Sequence, residues 1–289
     1  MNALRLWIQG ARLRTLPLSI GPVFLGSSLA DFYSSFDLSL CILAVLVAIF
    51  LQVGVNFAND YSDGIRGTDD FRVGPARLTS SGLADASRVR NAALVALLLA
   101  VLCGLVVILI TGNWWLTLVG LLSISGAWFY TGGSKPYGYA GLGEVSAFVF
   151  FGPVATLGTA FIMIGKVPPE SWLVGATAGF FAAAALLINN IRDENTDFSA
   201  HKTTLAVRLG RYWSLRLLAA LLILPYIILG TLSFNFLDAL FVALLFPLTL
   251  AIILACFRAS NPNQLVRALG LISLNGILFA LALGLAIII

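Results

Sequence analysis

Long apolar stretches alternate with short polar segments along the whole chain. Most of these stretches are roughly 20 residues long, which is the length at which an α-helix crosses the ~30 Å hydrocarbon core of a bilayer. The strands of a membrane barrel would instead give segments of about 10 residues with alternating polarity, and that alternation is absent. The pattern predicts an all-α bundle of nine transmembrane helices, at about 15–33, 39–58, 91–111, 114–131, 142–164, 172–191, 212–233, 237–257 and 265–287.

The composition agrees with a surface that faces lipid. Of the 289 residues, 60% are hydrophobic and 10% are charged, whereas soluble domains carry about 25% charged residues. We therefore expect one polytopic domain over residues 1–289, with its helices around a central cavity and with polar loops that cap the cavity on one side. We expect the lipid bilayer as a partner and no nucleic acid, and the pattern carries no signal for the oligomeric state.

The basic residues predict the orientation of the chain. With nine helices, every Lys and Arg except Lys166 falls on the same side of the membrane as the N-terminus. Because loops rich in Lys and Arg stay in the cytoplasm, we expect a multi-pass protein of the plasma (inner) membrane. Its N-terminus and polar loops would lie inside and its C-terminus outside. Residues 1–17 carry arginines between apolar residues and are interpreted as an amphipathic lead-in along the cytoplasmic interface.

The residues required for several common chemistries are missing. His201 is the single histidine, and the three cysteines lie in different apolar stretches. This excludes a zinc site or a bis-histidine haem site within one chain. It also excludes a His-based catalytic triad, and the stretch 74–82 lacks the Lys-Ser/Thr spacing of a Walker loop.

Acidic residues concentrate in two polar segments, at about 59–90 and 189–211. Seven of the 13 acidic residues form the clusters there, namely Asp60, Asp63, Asp69, Asp70, Asp193, Glu194 and Asp197, and Asp85 lies in the first segment away from its cluster. Each cluster begins at the cytoplasmic end of an even-numbered helix, and the two helices are four apart. We therefore expect the clusters to face one another across the cavity, although either one alone would be typical of a solvated helix end.

Helical spacing places the polar side chains of each cluster on one face. The steps of four residues run from Asn56 to Asp60, from Asn59 to Asp63, and from Asn189 through Asp193 to Asp197. Carboxylates at a membrane boundary are costly unless they are paired or ligated, so we expect a cation between the clusters. Oxygen ligands without His or Cys favour Mg²⁺, which combines one or two carboxylates with the phosphate oxygens of a substrate.

Basic residues near the two clusters supply the counter-charge that a diphosphate needs. They are Arg66, Arg72, Arg77, Lys135, Lys202 and Arg208. Lys135 lies in the turn 130–139, whose glycines allow a ligand to approach the backbone closely. The alternatives are a purely structural turn at Lys135 and, for the other basic residues, the positive-inside rule alone.

Three stretches resemble the UbiA superfamily of intramembrane aromatic prenyltransferases, and the resemblance extends over nearly the whole chain. They are residues 56–69 (NFANDYSDGIRGTD), 130–159 (YTGGSKPYGYAGLGEVSAFVFFGPVATLGT) and 189–210 (NNIRDENTDFSAHKTTLAVRLG). The turn GGSKPYGY and the run KTTLAVRLG are similar to the branch of the superfamily that prenylates 1,4-dihydroxy-2-naphthoate.

The resemblance implies a magnesium site. In the superfamily, an Asn-x-x-x-Asp-x-x-x-Asp motif and an Asp-x-x-x-Asp motif bind Mg²⁺ and the prenyl diphosphate. The positions that match as metal ligands are Asn59, Asp63, Asp193 and Asp197. Gly67 occupies the third position of the first motif, where Asp69 or Asp70 would substitute. A Gly commonly precedes the Lys of the second loop, and this chain has His201 before Lys202.

The resemblance also implies a reaction, which is the transfer of a polyprenyl group from polyprenyl diphosphate to 1,4-dihydroxy-2-naphthoate with loss of CO₂, in menaquinone biosynthesis. It assigns catalysis to Asp63, Asp193 and Lys135. Substrate binding is assigned to Asn56, Asp60, Arg72, Arg77, Tyr130, Lys135, Tyr137, Asn189, Lys202 and Arg208, with Tyr139 as a further candidate for lining the site. Two alternatives stay open: a family member that uses 4-hydroxybenzoate or homogentisate, and a secondary transporter, which would also carry intramembrane carboxylates.

Overall fold

A computed structural model describes residues 3–68 and 76–289, and these residues form helices and turns without a strand. The helices are α1 (Ala3–Ala11), α2 (Pro17–Phe32), α3 (Leu38–Ile65), α4 (Ala86–Thr111), α5 (Leu116–Phe129), α6 (Gly143–Val149), α7 (Ala155–Ile164), α8 (Glu170–Ser199), α9 (Leu205–Leu232), α10 (Phe246–Arg258) and α11 (Pro262–Ile288). A π-helical turn, Phe150–Val154, joins α6 to α7. Short 3₁₀ segments are Leu13–Thr15, Tyr137–Ala140 and Leu237–Leu245, the last of which leads into α10.

Seven helical segments of the described chain are long and apolar enough to cross a membrane. They are α3, α4, α6 with α7, α8, α9, α10 with the 3₁₀ segment before it, and α11. The two remaining predicted crossings correspond to α2, with 16 residues, and α5, with 14. Both are shorter than the roughly 20 residues of a perpendicular crossing. The all-α membrane bundle is therefore confirmed, while the count of nine and the orientation stay predictions.

Two helices extend well past their apolar stretches. α3 continues to Ile65 and α8 continues to Ser199, about two turns beyond the predicted ends at 58 and 191. These extensions carry the described acidic residues of the two clusters. These residues therefore lie on regular helix, as their spacing predicts. The apolar pattern marks where lipid ends, and the helix continues because its polar residues remain compatible with helical backbone.

The start of α9 also differs from the prediction. The side chain of Thr204 accepts a hydrogen bond from the Val207 amide at 3.4 Å and caps the helix, seven residues or so before the predicted start at 212. Gly210 has φ 69° and ψ 163°, which is a conformation suited to glycine. It separates a short first turn from the long apolar part of α9. The predicted start therefore coincides with the part of the helix that lies beyond this kink.

α8 is the central helix of the bundle. Its residues Ala182–Ala185, Leu187 and Ile188 are buried, and α2, α9 and α11 pack around it. Glycines allow its backbone to lie directly against the π-helical turn. A Cβ atom on Gly152 would come within 2.6 Å of the Gly175 carbonyl oxygen and of the Gly179 Cα atom. The close packing expected from the small residues of 175–179 is therefore present.

The N-terminal helix α1 packs against the C-terminal part of α3 and the segment that follows residue 76. Trp7 and Phe57 make an edge-to-face contact with ring centres 5.7 Å apart. Gly10 lies so close to Leu78 that a Cβ atom would approach Leu78 Cδ1 to 2.6 Å. Gln9 donates a hydrogen bond to the carbonyl oxygen of Ala76 at 2.9 Å. The amphipathic lead-in is therefore part of the folded unit, and its position at the membrane interface stays a prediction.

Candidate active site

The two acidic clusters meet at Lys202. The Lys202 ammonium lies 3.7 Å from Asp63 Oδ2, which comes from α3, and 3.6 Å from Asp197 Oδ1, which comes from α8. The side chains of Asp63 and Asp197 are only 4% and 7% exposed. One carboxylate from α3 and one from α8 thus share a cation whose side chain is 14% exposed.

The two neighbouring carboxylates keep the Lys202 ammonium protonated. Burial lowers the pKa of an ammonium, but the negative charges of Asp63 and Asp197 raise it by more, so the pKa of Lys202 lies above its ordinary value of 10.5. His201 has a left-handed φ of 56° at the turn that ends α8, where glycine is favoured. The turn nevertheless forms here with His.

Tyr139 is a site residue that sequence analysis treated only as a lining candidate. Its hydroxyl donates a hydrogen bond to Asp63 Oδ1 at 2.8 Å. Its ring faces two cations, with Lys202 Nζ at 5.1 Å and Arg66 Cζ at 5.5 Å from the ring centre. Burial and then the negative charge of Asp63 raise the pKa of Tyr139 to about 12. Tyr139 therefore remains a donor and holds the Asp63 carboxylate in place.

The turn 130–139 is attached to α3 by Arg66 and Asn59. The Arg66 guanidinium donates hydrogen bonds to the carbonyl oxygens of Thr131 and Gly133. The Thr131 hydroxyl donates to Asn59 Oδ1 at 2.8 Å. Arg66, predicted as counter-charge for a phosphate, thus uses its donors to position the turn that carries Tyr139.

Asn56 and Asp60 hold neighbouring segments against α3. The Asn56 amide donates to the carbonyl oxygen of Ala11 at 2.9 Å. The Asp60 carboxylate accepts hydrogen bonds from the backbone amides of Leu78 at 2.9 Å and Thr79 at 2.8 Å. Both oxygens of Asp60 are therefore engaged by backbone. In this geometry Asp60 fixes the segment that carries Arg77, while direct contact of Asp60 with substrate stays a prediction.

Asp193 is paired with its own neighbour in the sequence. Arg192 Nε and Nη2 donate to the two Asp193 oxygens at 2.7 and 2.6 Å, and the Arg192 side chain is only 2% exposed. Sequence analysis counted Arg192 among the cytoplasmic basic residues and gave it no role. The pair is a planar, bidentate contact, which is the strongest geometry available to these groups.

The other predicted residues occupy different surroundings. Arg77 is buried, whereas Lys135 and Arg208 are exposed. Arg208 Nε donates to the Thr203 carbonyl oxygen at 3.4 Å. Lys135 lies two residues after Gly133, which has a left-handed φ of 77°. Arg72, Asp69 and Asp70 lie outside the described residues.

A buried acid that sequence analysis missed lies beside the site. Glu144, at the start of α6, is 4% exposed, and its Oε1 atom accepts a hydrogen bond from the Asn190 side chain at 2.8 Å. The run GLGE after the turn offered a signal, because an acid at the beginning of an apolar helix needs a partner. The contact ties α6 to the residue next to Asn189 on α8.

A cavity of about 430 Å³ extends from this region into the bundle. Its polar end includes Asn56, Asn59, Tyr130, Tyr137 and Asn189, and most of its remaining wall is apolar and comes from α2 to α5, α7 and the π-helical turn. The Tyr137 hydroxyl donates to the Gly126 carbonyl oxygen at 2.7 Å. Among the described residues that line the cavity, Arg12 is the single charged one.

The structure places an acid-flanked lysine beside a deep apolar cavity, where the motifs predicted Mg²⁺ between the two acidic clusters. Residues 19–287 match the UbiA prenyltransferase family. The chain belongs to this family. As a UbiA protein with seven long apolar helical segments in its described part, it is a multi-pass membrane protein.

Similar UbiA proteins share both sequence and fold with the chain. It is 51% identical over 204 residues to the 1,4-dihydroxy-2-naphthoate octaprenyltransferase of Mycobacterium tuberculosis, covering 71% of this chain and 70% of that protein. It is 34% identical over 300 residues to the protein of the same name from Haemophilus influenzae, and the match covers 99% of this chain and 96% of that protein.

Solved structures of UbiA homologs have the same fold. The apo structure of a homolog from Aeropyrum pernix K1 superposes with a TM-score of 0.73 at 15% identity and covers 94% of this chain and 97% of that one. The structure of a homolog from Archaeoglobus fulgidus bound to GPP and Mg²⁺ gives a TM-score of 0.61 at 18% identity. The match covers 96% of this chain and 99% of that one.

The donor set of this UbiA chain fits a magnesium ion that is shared with a substrate. In the described part of the chain, no three acidic, His or Cys side chains converge in a way that could hold a metal by themselves. Asp63 and Asp197 already hold a cation between them, in the form of Lys202. Mg²⁺ typically takes one or two carboxylates and completes its shell with water and phosphate oxygens, so two facing carboxylates suffice.

Proposed function

We propose that this chain transfers a polyprenyl group from polyprenyl diphosphate to 1,4-dihydroxy-2-naphthoate. The observation that carries the proposal is the buried cation shared by Asp63 and Asp197 next to the polar end of an apolar cavity. This arrangement suits a substrate with a charged head and a long apolar tail. The names of the relatives at 51% and 34% identity support the naphthoate acceptor.

The residues around Lys202 would bind the diphosphate. Lys202 remains cationic because two acids raise its pKa, and buried Arg77 is held nearby on the segment that Asp60 braces. The metal ligands we propose are Asn59, Asp63, Asp193 and Asp197, with Asp69 or Asp70 completing the first motif. When bound, Mg²⁺ acts as a Lewis acid that neutralises charge on the departing diphosphate.

The cavity would hold the tail and the acceptor. Its apolar wall keeps water from an allylic carbon that carries positive charge as the carbon–oxygen bond to diphosphate breaks. The rings of Tyr130 and Tyr137, whose centres are 5.6 Å apart, line this end of the cavity and can stabilise such a cation. We place this end of the bundle at the cytoplasmic face, in accordance with the positive-inside rule.

The chemical step balances without a further reagent. The naphthoate ring carbon that bears the carboxylate forms the new bond to the allylic carbon, and diphosphate leaves with the electron pair of the broken bond. The bond to the carboxylate then breaks, its electron pair returns to the ring, and CO₂ leaves. The product is the 2-polyprenyl naphthoquinol, demethylmenaquinol.

Competition between acceptors tests this proposal. Purified protein in lipid nanodiscs is incubated with Mg²⁺, one polyprenyl diphosphate and equal amounts of 1,4-dihydroxy-2-naphthoate, 4-hydroxybenzoate and homogentisate. Mass spectrometry should show the decarboxylated naphthoquinol product and its loss on addition of EDTA. A product from another acceptor would assign the chain to a different branch of the family, and ion or solute flux in liposomes without any product would favour a transporter.

Single substitutions test the metal ligands in the same assay. Asp63→Asn and Asp193→Asn should each reduce turnover by about 100-fold or more, because each removes a charge that positions the leaving group. Asp85→Asn is the control, since Asp85 is exposed and, among the described residues, forms a surface ion pair with Arg88. Turnover near that of the wild type in both site variants, with both folded, would refute the assignment.

A further inference from the structure

Three glycines in the apolar wall of the cavity leave space that no described side chain fills. Gly104 on α4, Gly120 on α5 and Gly158 on α7 all line the cavity, and a Cβ atom added at any of them would meet no described atom within 4 Å. We infer that these glycines keep the channel wide enough for a donor tail longer than about four isoprenyl units. The inference rests on the proposed function and specifies the length of its donor.

Close helix packing is the usual reason for glycine in a membrane helix, and it does not apply to these three positions. Gly26 illustrates that reason, because a Cβ atom there would lie 2.5 Å from the Thr156 carbonyl oxygen of a neighbouring helix. Glycine weakens a helix interior relative to alanine, and at the three positions no close contact offsets that loss. What glycine provides there is the space itself.

Helical spacing puts each glycine in the middle of the face that its helix turns toward the cavity. The residues four positions before and four positions after each glycine also line the cavity. They are Ala100 and Ile108 on α4, Leu116 and Ile124 on α5, and Val154 and Ile162 on α7. A side chain at any of the three glycines would therefore point into the channel.

The three glycines lie at a similar depth in the bundle. Gly104 precedes the end of α4 by seven residues, Gly120 follows the start of α5 by four, and Gly158 precedes the end of α7 by six. These helix ends lie on one side, since residues 112–115 join α4 to α5 and the rings of Trp115 and Phe161 have centres 5.0 Å apart. At 1.5 Å per residue, all three glycines are about 6–11 Å from these ends.

This level is far from the proposed metal ligands. A Cβ atom on Gly54 of α3 would lie 2.7 Å from Leu97 Cδ2 on the antiparallel helix α4, so these two residues are level with one another. Gly104, seven residues beyond Leu97, is then level with Val47, which also lines the cavity. Between Asn59 and Val47, α3 rises by about 18 Å.

The distance along α3 sets a threshold for the length of the tail. Each isoprenyl unit adds four bonds along the tail, and an extended covalent chain advances roughly 1.2 Å per bond, so that one unit covers about 5 Å. A geranyl tail, with two units, ends well short of the glycines. The fourth unit reaches them, and every further unit must pass between them. A larger side chain at this level would therefore block long tails and leave short tails in place.

Donor length tests the inference in the prenyl-transfer assay. Nanodisc-embedded wild type, Gly104→Leu, Gly120→Leu and Gly158→Leu each receive geranyl or octaprenyl diphosphate, Mg²⁺ and the acceptor that the wild type uses. Each variant should keep kcat/KM for the geranyl donor within about twofold of the wild type. For the octaprenyl donor, kcat/KM should fall by about tenfold or more, because overpacking of an apolar site costs at least about that factor.

Gly230→Leu is the matched control. Gly230 also lies within a helix and has no described atom within 4 Å of an added Cβ, but it is exposed on α9 and is not among the lining residues. This variant should keep the wild-type ratio of the two donors. Equal losses for both donors in the three cavity variants would overturn the inference in favour of a structural role. Unchanged octaprenyl transfer in all three would overturn it in favour of another path for the tail.

The wild type alone also puts the inference at risk. A geranylgeranyl diphosphate analogue with a diazirine on its last isoprenyl unit should, on illumination, label α4, α5 or α7 around the three glycines. A diazirine on the first unit should instead label the polar end near Tyr130 and Asn189, and unlabelled geranylgeranyl diphosphate should suppress both reactions. Identical labelling by the two analogues would overturn the inference even if the Leu variants failed to fold. Labelling needs no acceptor, so absence of any prenylated product would refute the proposed function while the position of the tail is still measured.

Discussion

At the scale of single residues, side chains that have equivalent positions in the sequence pattern have different contacts in the structure. Asp60 and Asp63 both follow an Asn by four residues on α3, and both were predicted to serve the diphosphate. Asp60 faces the backbone amides of Leu78 and Thr79, whereas Asp63 faces Tyr139 and Lys202. Spacing defines which side chains share a helix face, but what lies opposite that face depends on loops whose path periodicity does not encode.

Lys202 is predicted to stabilise the fold as well as bind substrate. Lys202→Gln would leave Asp63 and Asp197 facing one another without their cation, and removal of one partner of a buried ion pair costs ~3–5 kcal/mol. We expect a clearly lower melting temperature in detergent than for the wild type. Lys135→Gln, at an exposed position, should leave the melting temperature nearly unchanged.

The pH dependence of this effect has a definite sign. The pKa of Lys202 is raised above its ordinary 10.5 in the folded protein, so its stabilising contribution is complete below that value and is lost only as pH rises through the higher folded pKa. The difference in melting temperature between wild type and Lys202→Gln should therefore stay constant from about pH 6 to pH 9. A difference that disappears within this window would contradict the ion pairing.

At the scale of elements, the apolar pattern located the helices and missed how far they extend. Hydropathy marks the segment in contact with lipid, and so it ended α3 and α8 where their polar extensions begin. The motifs themselves, with steps of four residues, indicated that the helix continues to Asp63 and Asp197. The π-helical turn 150–154 was not predicted, because it depends on backbone contact with α8 rather than on a local pattern.

The close contact between the π-helical turn and α8 predicts that one added methyl group at Gly152 lowers the stability of the fold. Gly152→Ala would place a Cβ atom within 2.6 Å of backbone atoms of Gly175 and Gly179, which cannot move aside as a side chain can. Overpacking of this kind typically costs ~1–3 kcal/mol, so the melting temperature should fall. Gly158→Ala, on the adjoining helix with no atom within 4 Å of the new Cβ, should be as stable as the wild type or slightly more so. Equal stability of the two variants would show that the backbones are farther apart.

At the scale of the whole molecule, the apolar pattern gave the fold class, and the positions of the two acidic clusters along the chain predicted that they face one another. The path of the cavity through the bundle, and the presence of Arg12 in its wall, required the three-dimensional arrangement. The lead-in was interpreted only as an interfacial segment, because a basic residue next to a membrane helix usually reflects orientation alone. Its hydrogen bonds to α3 through Asn56 and Thr15 could not be foreseen from charge.

The number of crossings predicts where the two termini lie. If α2 and α5 cross together with the seven longer segments, the odd total places the two termini on opposite sides of the membrane. The positive-inside rule then predicts the N-terminus in the cytoplasm and the C-terminus outside. Green fluorescent protein fused to the N-terminus should then fluoresce. The same reporter fused to the C-terminus, and therefore exported, should not. Alkaline phosphatase fused to the C-terminus should be active. Both termini on one side would mean that one of the short helices does not cross.

Lys202 already stands between Asp63 and Asp197 in the folded chain. If the site binds Mg²⁺ with the diphosphate as proposed, loading would be an exchange of counter-ions rather than the filling of a bare acidic pair. Asp63 and Asp197 would then hold the metal, and the Lys202 ammonium would pair with the phosphate oxygens. A prenyl alcohol brings neither group and cannot drive this exchange, so the hydrolysed donor should be a poor competitor of the diphosphate despite having the same tail.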